Sequence, residues 1–132
     1  MKIISAGIIF CHNKILIAQR SRNKSLAYKW EFPGGKLEEG ETLEECLKRE
    51  IKEELDLEIT VGEKYMTTTH EYEFGSFQLN VFLAECQTEQ AGELTAHECI
   101  RWVSPDELEN YDFSAADLPI VEKIKADKKL SS

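Results

Sequence analysis

Two blocks of strand-like, β-branched sequence flank one strongly marked helix, and that helix has to carry both an apolar stripe and a concentration of acid. The segment from Gly35 to Leu57 reads GKLEEGETLEECLKREIKEELDL. Thr42 can cap the free N–H groups of a first turn while Glu45, three residues on, reaches back, the reciprocal pair of a capping box. The helix so begun ends near Leu55-Asp56. At roughly 100° per residue, Leu43, Cys46, Leu47, Ile51 and Leu55 align as one apolar face. Glu50, Glu53 and Glu54, spaced i, i+3 and i+4, converge on one side. On the same wheel Glu54 points into the middle of the apolar stripe and Glu50 toward its border.

Glu38, Glu39, Glu44, Glu45 and Glu58 can be ordinary solvated acids, the usual reading of a Glu-rich helix. Glu54 cannot, because a carboxylate against the core needs something to offset its charge. Clustered carboxylates with open positions suit hard cations such as Mg²⁺ or Mn²⁺, commonly shared with substrate phosphates. Arg49, beside Glu50, steadies a carboxylate without replacing the ion. Just upstream, Trp30-Glu31-Phe32-Pro33-Gly34-Gly35-Lys36 predicts a sharp turn in which the backbone approaches a ligand. Carbonyls exposed there could join a metal shell, and Lys36 could meet a phosphate.

The flanking sequence predicts a mixed sheet with helices packed on it, an α+β architecture in a single domain over residues 1–132. Ile3 to Phe10 and Lys14 to Arg20 read as a hairpin turning at Cys11-His12-Asn13. Glu58 to Thr69 and Phe77 to Cys86 read as strands joined around Gly75-Ser76, and Cys99 to Val103 as a short one. Ser104-Pro105-Asp106-Glu107 starts a short helix to about Asn110. Ser114 precedes a terminal helix in which Leu118, Val121 and Ile124 face the core.

A net charge of −9 and a pI near 4.9 repel a long phosphate backbone, so a nucleic-acid polymer is a poor partner. A small polyanion can still bind where divalent cations invert the local charge. The apolar run Ile3 to Phe10 is too short to span a bilayer and lacks the parts of a signal peptide, so the expected place is the cytoplasm, with no membrane partner. Cys11, Cys46, Cys86 and Cys99 form no C-x-x-C pair and read as reduced, mostly buried hydrophobes, which makes zinc an improbable ligand.

The helix segment resembles the Nudix box, G-x5-E-x7-R-E-U-x-E-E-x-G-U with U a bulky aliphatic residue, through Gly35, Glu41, Arg49, Glu50, Ile51, Glu53, Glu54 and Leu57. The one departure is Asp56 in place of glycine, at the turn that ends the helix. Asp tolerates the left-handed region better than most residues. Beyond the box, Ala18-Gln19-Arg20, Ala96-His97-Glu98, Trp102-Val103-Ser104-Pro105 and Ala115-Ala116-Asp117-Leu118-Pro119 look like the MutT-like nucleoside triphosphate pyrophosphohydrolases, including CTP pyrophosphohydrolases.

That resemblance implies a mixed β-sheet sandwiched between α-helices and a metal shell of Glu50, Glu53, Glu54, the Gly34 carbonyl and Glu98. It implies Mg²⁺ as cofactor, with Mn²⁺ as substitute. Glu41 would be a supporting acid paired with Arg49. The implied reaction is hydrolysis of a nucleoside triphosphate to monophosphate and pyrophosphate, water attacking the β-phosphorus. Glu53 is the first choice for the general base and Glu98 the second.

For base recognition the resemblance points to Phe74, Tyr28 and Asp117, with Arg20 helping on phosphate or base. Each has a plainer reading: rim aromatics, a strand-end arginine, and a cap acid in Ser114-x-x-Asp117. An ionised Asp117 would favour an amino-bearing edge such as cytosine N4 or guanine N1/N2. The implied role is sanitation of oxidised or modified dNTPs such as 8-oxo-dGTP, with CTP or 5-methyl-dCTP as the alternative. A hydrolase of another diphosphate such as ADP-ribose, and a non-catalytic nucleotide-binding module, are the other readings. A monomer or weak dimer is expected.

Overall fold

The computed structural model describes residues 1–131 and is built on one mixed sheet with helices on both faces. Its strands are β1 (Lys2–Cys11), β2 (Lys14–Arg20), β3 (Trp30–Glu31), β4 (Gly34–Lys36), β5 (Ile59–Tyr72), β6 (Gly75–Cys86) and β7 (His97–Val103). The helices are α1 (Leu43–Leu55), α2 (Leu118–Ala126) and α3 (Lys128–Ser131), with short 3₁₀ segments over Pro105–Asn110 and Ala115–Asp117. The spatial order is β3-β2-β1-β6-β5, with β4 added to β1 and β7 to β2.

β1 and β6 run parallel, Ile4 beside Leu79 and Ile8 beside Leu83, while the hairpin partners run antiparallel. β1 pairs with β2 only near their shared turn, at Phe10↔Ile15 and Cys11↔Lys14, and with β4 at its other end, Ile4↔Lys36 to Ala6↔Gly34. The strands therefore splay, and the wedge between them opens beside β4.

The unbroken apolar runs of β1 and β2 follow from burial on both faces. On one face Ile8, Ile15 and Ile17 join Leu79, Val81, Ile120, Val121 and Ile124, beneath α2. On the other, Ile9 and Leu16 join Leu47, Ile51, Leu55 and Phe82, beneath α1. The expected sandwich of a sheet between helices is the observed one. In α2, however, Ile120 takes the core position expected of Leu118, which is 47% exposed, because the helix begins with a turn that aims Leu118 outward. The β5–β6 reversal falls at Glu73-Phe74, two residues earlier than expected, and Gly75-Ser76 already belong to β6.

The Pro33-Gly34-Gly35 segment is a correction of a different kind. It is extended strand and not a sharp turn; neither glycine has positive φ. What these positions demand is closeness: a Cβ on Gly34 would lie 2.0 Å from the Ser5 carbonyl oxygen and 2.7 Å from Ala6 Cα. Both are backbone atoms with no freedom to retreat. We expect Gly34→Ala to break β4 from β1 and to lower stability by at least about 1–3 kcal/mol, measured by urea unfolding; an unchanged midpoint would count against this reading of β4.

Candidate active site

α1 starts as its sequence directs. Thr42 Oγ1 accepts from Glu45 N–H at 3.1 Å, and Glu45 Oε1 accepts from Thr42 N–H at 2.8 Å. It ends at Asp56, held left-handed at φ 53, ψ 45 and tied by Lys52 at 2.8 Å. Aspartate thus performs the turn for which the box pattern has glycine. Gly92 allows it, since a Cβ there would sit 2.4 Å from Asp56 Oδ2.

Along this helix Arg49 gathers the acids. Its guanidinium donates to Glu41 at 2.7 and 3.0 Å, to Glu50 at 2.9 Å, to Glu53 at 3.0 Å and to the Lys36 carbonyl at 3.1 Å. These bonds hold the Glu41 carboxyl at about 2, the hydrogen bond from Arg49 being the largest cause. The same contact raises the arginine's own pKa. The Glu50 carboxylate packs directly over Gly35, where a Cβ would come within 2.2 Å of it. Glu53 is on the outer side, its side chain 60% exposed.

Glu54 behaves as the helical wheel predicts. It is half-buried, and burial pushes its carboxyl up to about 7, with the Glu50 and Glu31 charges adding to the rise and the His97 ring opposing it. Its carboxylate makes no hydrogen bond among the described residues. The three glutamates do not bring their oxygens within 4.8 Å of one another as a set. Like charges with only Arg49 between them keep that distance.

Beside this helix a cavity of about 610 Å³ opens in the wedge between the strands. Gly34, Gly35, Glu50 and Glu54 form one wall. Across it stand Tyr72, Phe74 and Phe77, with the Tyr72 and Phe74 rings stacked at 4.9 Å. Phe74 is 53% exposed, an aromatic face available to a flat ligand. Lys36 stands beside Lys2 and lowers the Lys2 pKa, and both line the cavity. Lys24 lines the same space.

The floor is acidic. Asp117 is 5% exposed and accepts from the Phe32 N–H at 2.7 Å and the Ser114 hydroxyl at 3.1 Å. It makes no capping bond to α2, so the plain cap reading fails. Burial, reinforced by the Glu31 charge, pushes its carboxyl up to about 7. Glu31 takes 2.9 Å contacts from both Arg20 and His97. Burial pushes its pKa up, but those two partners outweigh it and hold the carboxyl below its usual range.

Because folded Asp117 holds its proton up to about 7 and the unfolded chain releases it near 3.8, the folded form binds that proton more tightly. The stability this group contributes is therefore complete below the unfolded value and lost as pH rises through the folded one. Asp117→Asn, which keeps a carbonyl for Phe32 N–H, removes the loss. Its stability relative to the parent should rise between about pH 4 and 7, read from unfolding midpoints across that range. A constant difference would show that Asp117 does not titrate there.

Of the residues expected from sequence, Gly34, Lys36, Glu50, Glu54, Phe74, Asp117 and Arg20 line the cavity. Arg20 donates from Nη1 to Glu31 and from Nε and Nη2 to the Ser25 carbonyl and hydroxyl, so it orients Glu31 at the cavity's edge. Glu41, Arg49 and Glu53 stand behind the wall. Tyr28, 52% exposed, lies off the cavity, which the neighbouring Leu26 lines instead. Glu98 also lies off it, accepting from Arg22 N–H at 3.0 Å, because strand alternation turns it away when His97 turns in. Glu31 and His97, which the sequence offers only as members of longer motifs, meet here from separate strands.

The profile of the NUDIX domain family matches residues 5–123. The chain is 38% identical over 130 residues to the CTP pyrophosphohydrolase of Escherichia coli (strain K12), spanning 96% of this chain and 94% of that one. It is 42% identical over 94 residues to the 8-oxo-dGTP diphosphatase of Proteus vulgaris, 70% of this chain and 80% of that one. A solution structure of the mismatch repair protein MutT, a Nudix hydrolase from methicillin-resistant Staphylococcus aureus 252, matches with a TM-score of 0.72 and 44% identity, covering 95% of this chain and 97% of that one.

Proposed function

The chain belongs to the NUDIX domain family and is a hydrolase, and from that premise we propose that it splits oxidised or modified nucleoside triphosphates, 8-oxo-dGTP foremost, into monophosphate and pyrophosphate. One observation carries the reading: two of the box acids, Glu50 and Glu54, line a cavity that the stacked Tyr72 and Phe74 rings and the acids Glu31 and Asp117 also line. Hydrolases of this family generally need a divalent metal; here we take it as Mg²⁺, replaceable by Mn²⁺. The carboxylates of Glu50, Glu53 and Glu54 and the Gly34 carbonyl would hold it. The half-buried Glu54 carboxyl supports this assignment, since a hard cation offsets the desolvation that now keeps it near 7. Such a cation, when bound, neutralises phosphate charge and lowers the pKa of a coordinated water.

The chain's own residues do the rest. Glu53 Oε accepts the proton of the water that attacks the β-phosphorus, being the most exposed of the box glutamates. Arg49, oriented by Glu41, keeps Glu50 and Glu53 in place. Lys2 and Lys36 meet the phosphate tail in a protein otherwise repulsive to anions. Phe74 stacks on the base, and Asp117 with Glu31 addresses an edge rich in N–H groups. Oxidised guanine and cytosine both present such an edge, and the acidic floor therefore also favours CTP or 5-methyl-dCTP as the second reading. The enzyme acts on free nucleotides in the cytoplasm, as a monomer or weak dimer.

Pyrophosphate release from 8-oxo-dGTP, CTP, 5-methyl-dCTP, dATP and ADP-ribose tests this directly. EDTA should abolish turnover and Mg²⁺ restore it. We expect kcat/KM for 8-oxo-dGTP to exceed that for dATP by at least about tenfold, the discrimination one differing pocket contact supplies. Cytosine substrates in first place would select the second reading. Hydrolysis of ADP-ribose alone would overturn both.

A further inference from the structure

A second cluster of ligating side chains lies where the proposed reaction has no use for it. Cys11 ends β1, His12 sits in the two-residue turn to β2, and Glu89 comes from the segment after β6. None of the three lines the cavity. Ala6 does, and Cys11 lies five residues further along the strand, about 17 Å away. One ligand atom from each of Cys11, His12 and Glu89 lies within 4.8 Å of the other two. We propose that Cys11, His12 and Glu89 form a second cation site, for a borderline-soft divalent ion of the Zn²⁺ type.

The distances carry the argument. Zn²⁺ bonds of about 2.3 Å to sulfur, 2.0–2.1 Å to nitrogen and 2.0–2.2 Å to carboxylate oxygen imply, at a tetrahedral angle, edges of about 3.5 Å for S···N and about 3.4 Å for N···O. The observed separations are 3.5 Å from Sγ to Nδ1 and 3.3 Å from Nδ1 to Oε2. Two edges of the coordination polyhedron are thus already at their required length.

The donor chemistry agrees. A thiolate with an imidazole excludes Mg²⁺ and Ca²⁺, which want oxygen, and favours ions that accept sulfur and nitrogen. Thiolate and carboxylate together balance the charge of one divalent ion. The carboxylate is presented by a fixed backbone: Trp102 Nε1–H donates to the Glu89 carbonyl at 2.9 Å, and Cys86 Sγ–H donates to the Thr88 carbonyl at 3.0 Å. Continuing the β1–β6 register one step beyond Phe10↔Glu85 places Cys86 beside Cys11, a further sulfur at the edge of the site.

An ordinary ion pair explains less. His12 and Glu89 side chains are 73% and 37% exposed, and such a pair contributes little in water. It gives no reason for a buried sulfur to face the imidazole. Burial, with Cys86 and Glu89 close by, raises the Cys11 pKa, so the thiol keeps its proton until a cation displaces it. Binding forms a metal–sulfur bond, breaks the S–H bond and releases one proton to solvent. The ion would tie the β1–β2 turn to the β6–β7 connection and stabilise the fold by mass action.

Titration with Co²⁺ in excess Mg²⁺, which fills the glutamate site, tests the proposal in the intact protein. A thiolate-to-cobalt charge-transfer band with intense visible bands is expected, saturating at one equivalent. Cys11→Ser should abolish the charge-transfer band. His12→Asn, at an exposed turn position of positive φ that Asn tolerates, and Glu89→Gln, at a half-buried position whose backbone contacts are kept, should weaken binding by at least about tenfold, no less than the loss of an outer-shell partner costs. Cys99→Ser should change nothing. Absence of the band at stoichiometric Co²⁺, or a band of unchanged affinity in His12→Asn and Glu89→Gln, overturns the site whether or not the enzyme hydrolyses nucleotides.

Discussion

Glu53→Gln should lower the rate of pyrophosphate release by about 10²–10⁴-fold, the contribution of a positioned general base, with the thermal midpoint nearly unchanged. Stability is spared because the side chain is 60% exposed and makes a single bond, to Arg49 at 3.0 Å, which the glutamine carbonyl can still accept. The parallel variant Glu98→Gln decides between the two bases considered. Glu98 is held by Arg22 away from the cavity, so its replacement should leave most of the activity. If Glu98→Gln loses as much as Glu53→Gln, the proton acceptor is Glu98 and β7 must rearrange on binding. If Glu53→Gln keeps near-normal turnover, the role proposed for it is wrong.

Gly35→Ala should raise the Mg²⁺ concentration required for half-maximal activity by about 10–100-fold, comparable to losing a partner that orients a metal ligand. The new Cβ would stand 2.2 Å from Glu50 Cδ and 2.4–2.5 Å from its oxygens, so that carboxylate has to swing away. A flexible side chain can move at small cost, and the fold should survive. Activity should then recover in part at high Mg²⁺. The neighbouring Gly34→Ala provides the contrast: there the obstruction is backbone, and no concentration of metal should repair it. Equal Mg²⁺ requirements in Gly35→Ala and the parent would mean that Glu50 is not a ligand.

The two glycines show how far sequence reasoning reaches. Pro33-Gly34-Gly35 was expected to turn, because that is the local meaning of the dipeptides. The segment is instead strand, and its glycines answer to Ser5 and Glu50, remote in sequence. No local rule carries that information. Leu118 and the β5–β6 turn differ for the same reason: helix phase and strand register are set by what the element packs against. Glu98 was placed by a motif whose neighbouring residues matched, yet alternation along β7 sends His97 inward and Glu98 out.

What the sequence determined by itself was the helix that carries the box: its cap, its apolar stripe and the burial of Glu54. Those are consequences of spacing within some twenty residues, and local spacing survives folding intact. The sheet between helices was implied by the family resemblance, and the burial of β1 and β2 on both faces agrees with it. Only the tertiary structure decided what the acids face. It brought Tyr72, Phe74, Glu31 and Asp117 from separate strands and loops around one cavity, and set Cys11 and His12 against Glu89. Those contacts join residues far apart in the chain, and their identity depends on sheet order and register, which no short stretch of sequence specifies.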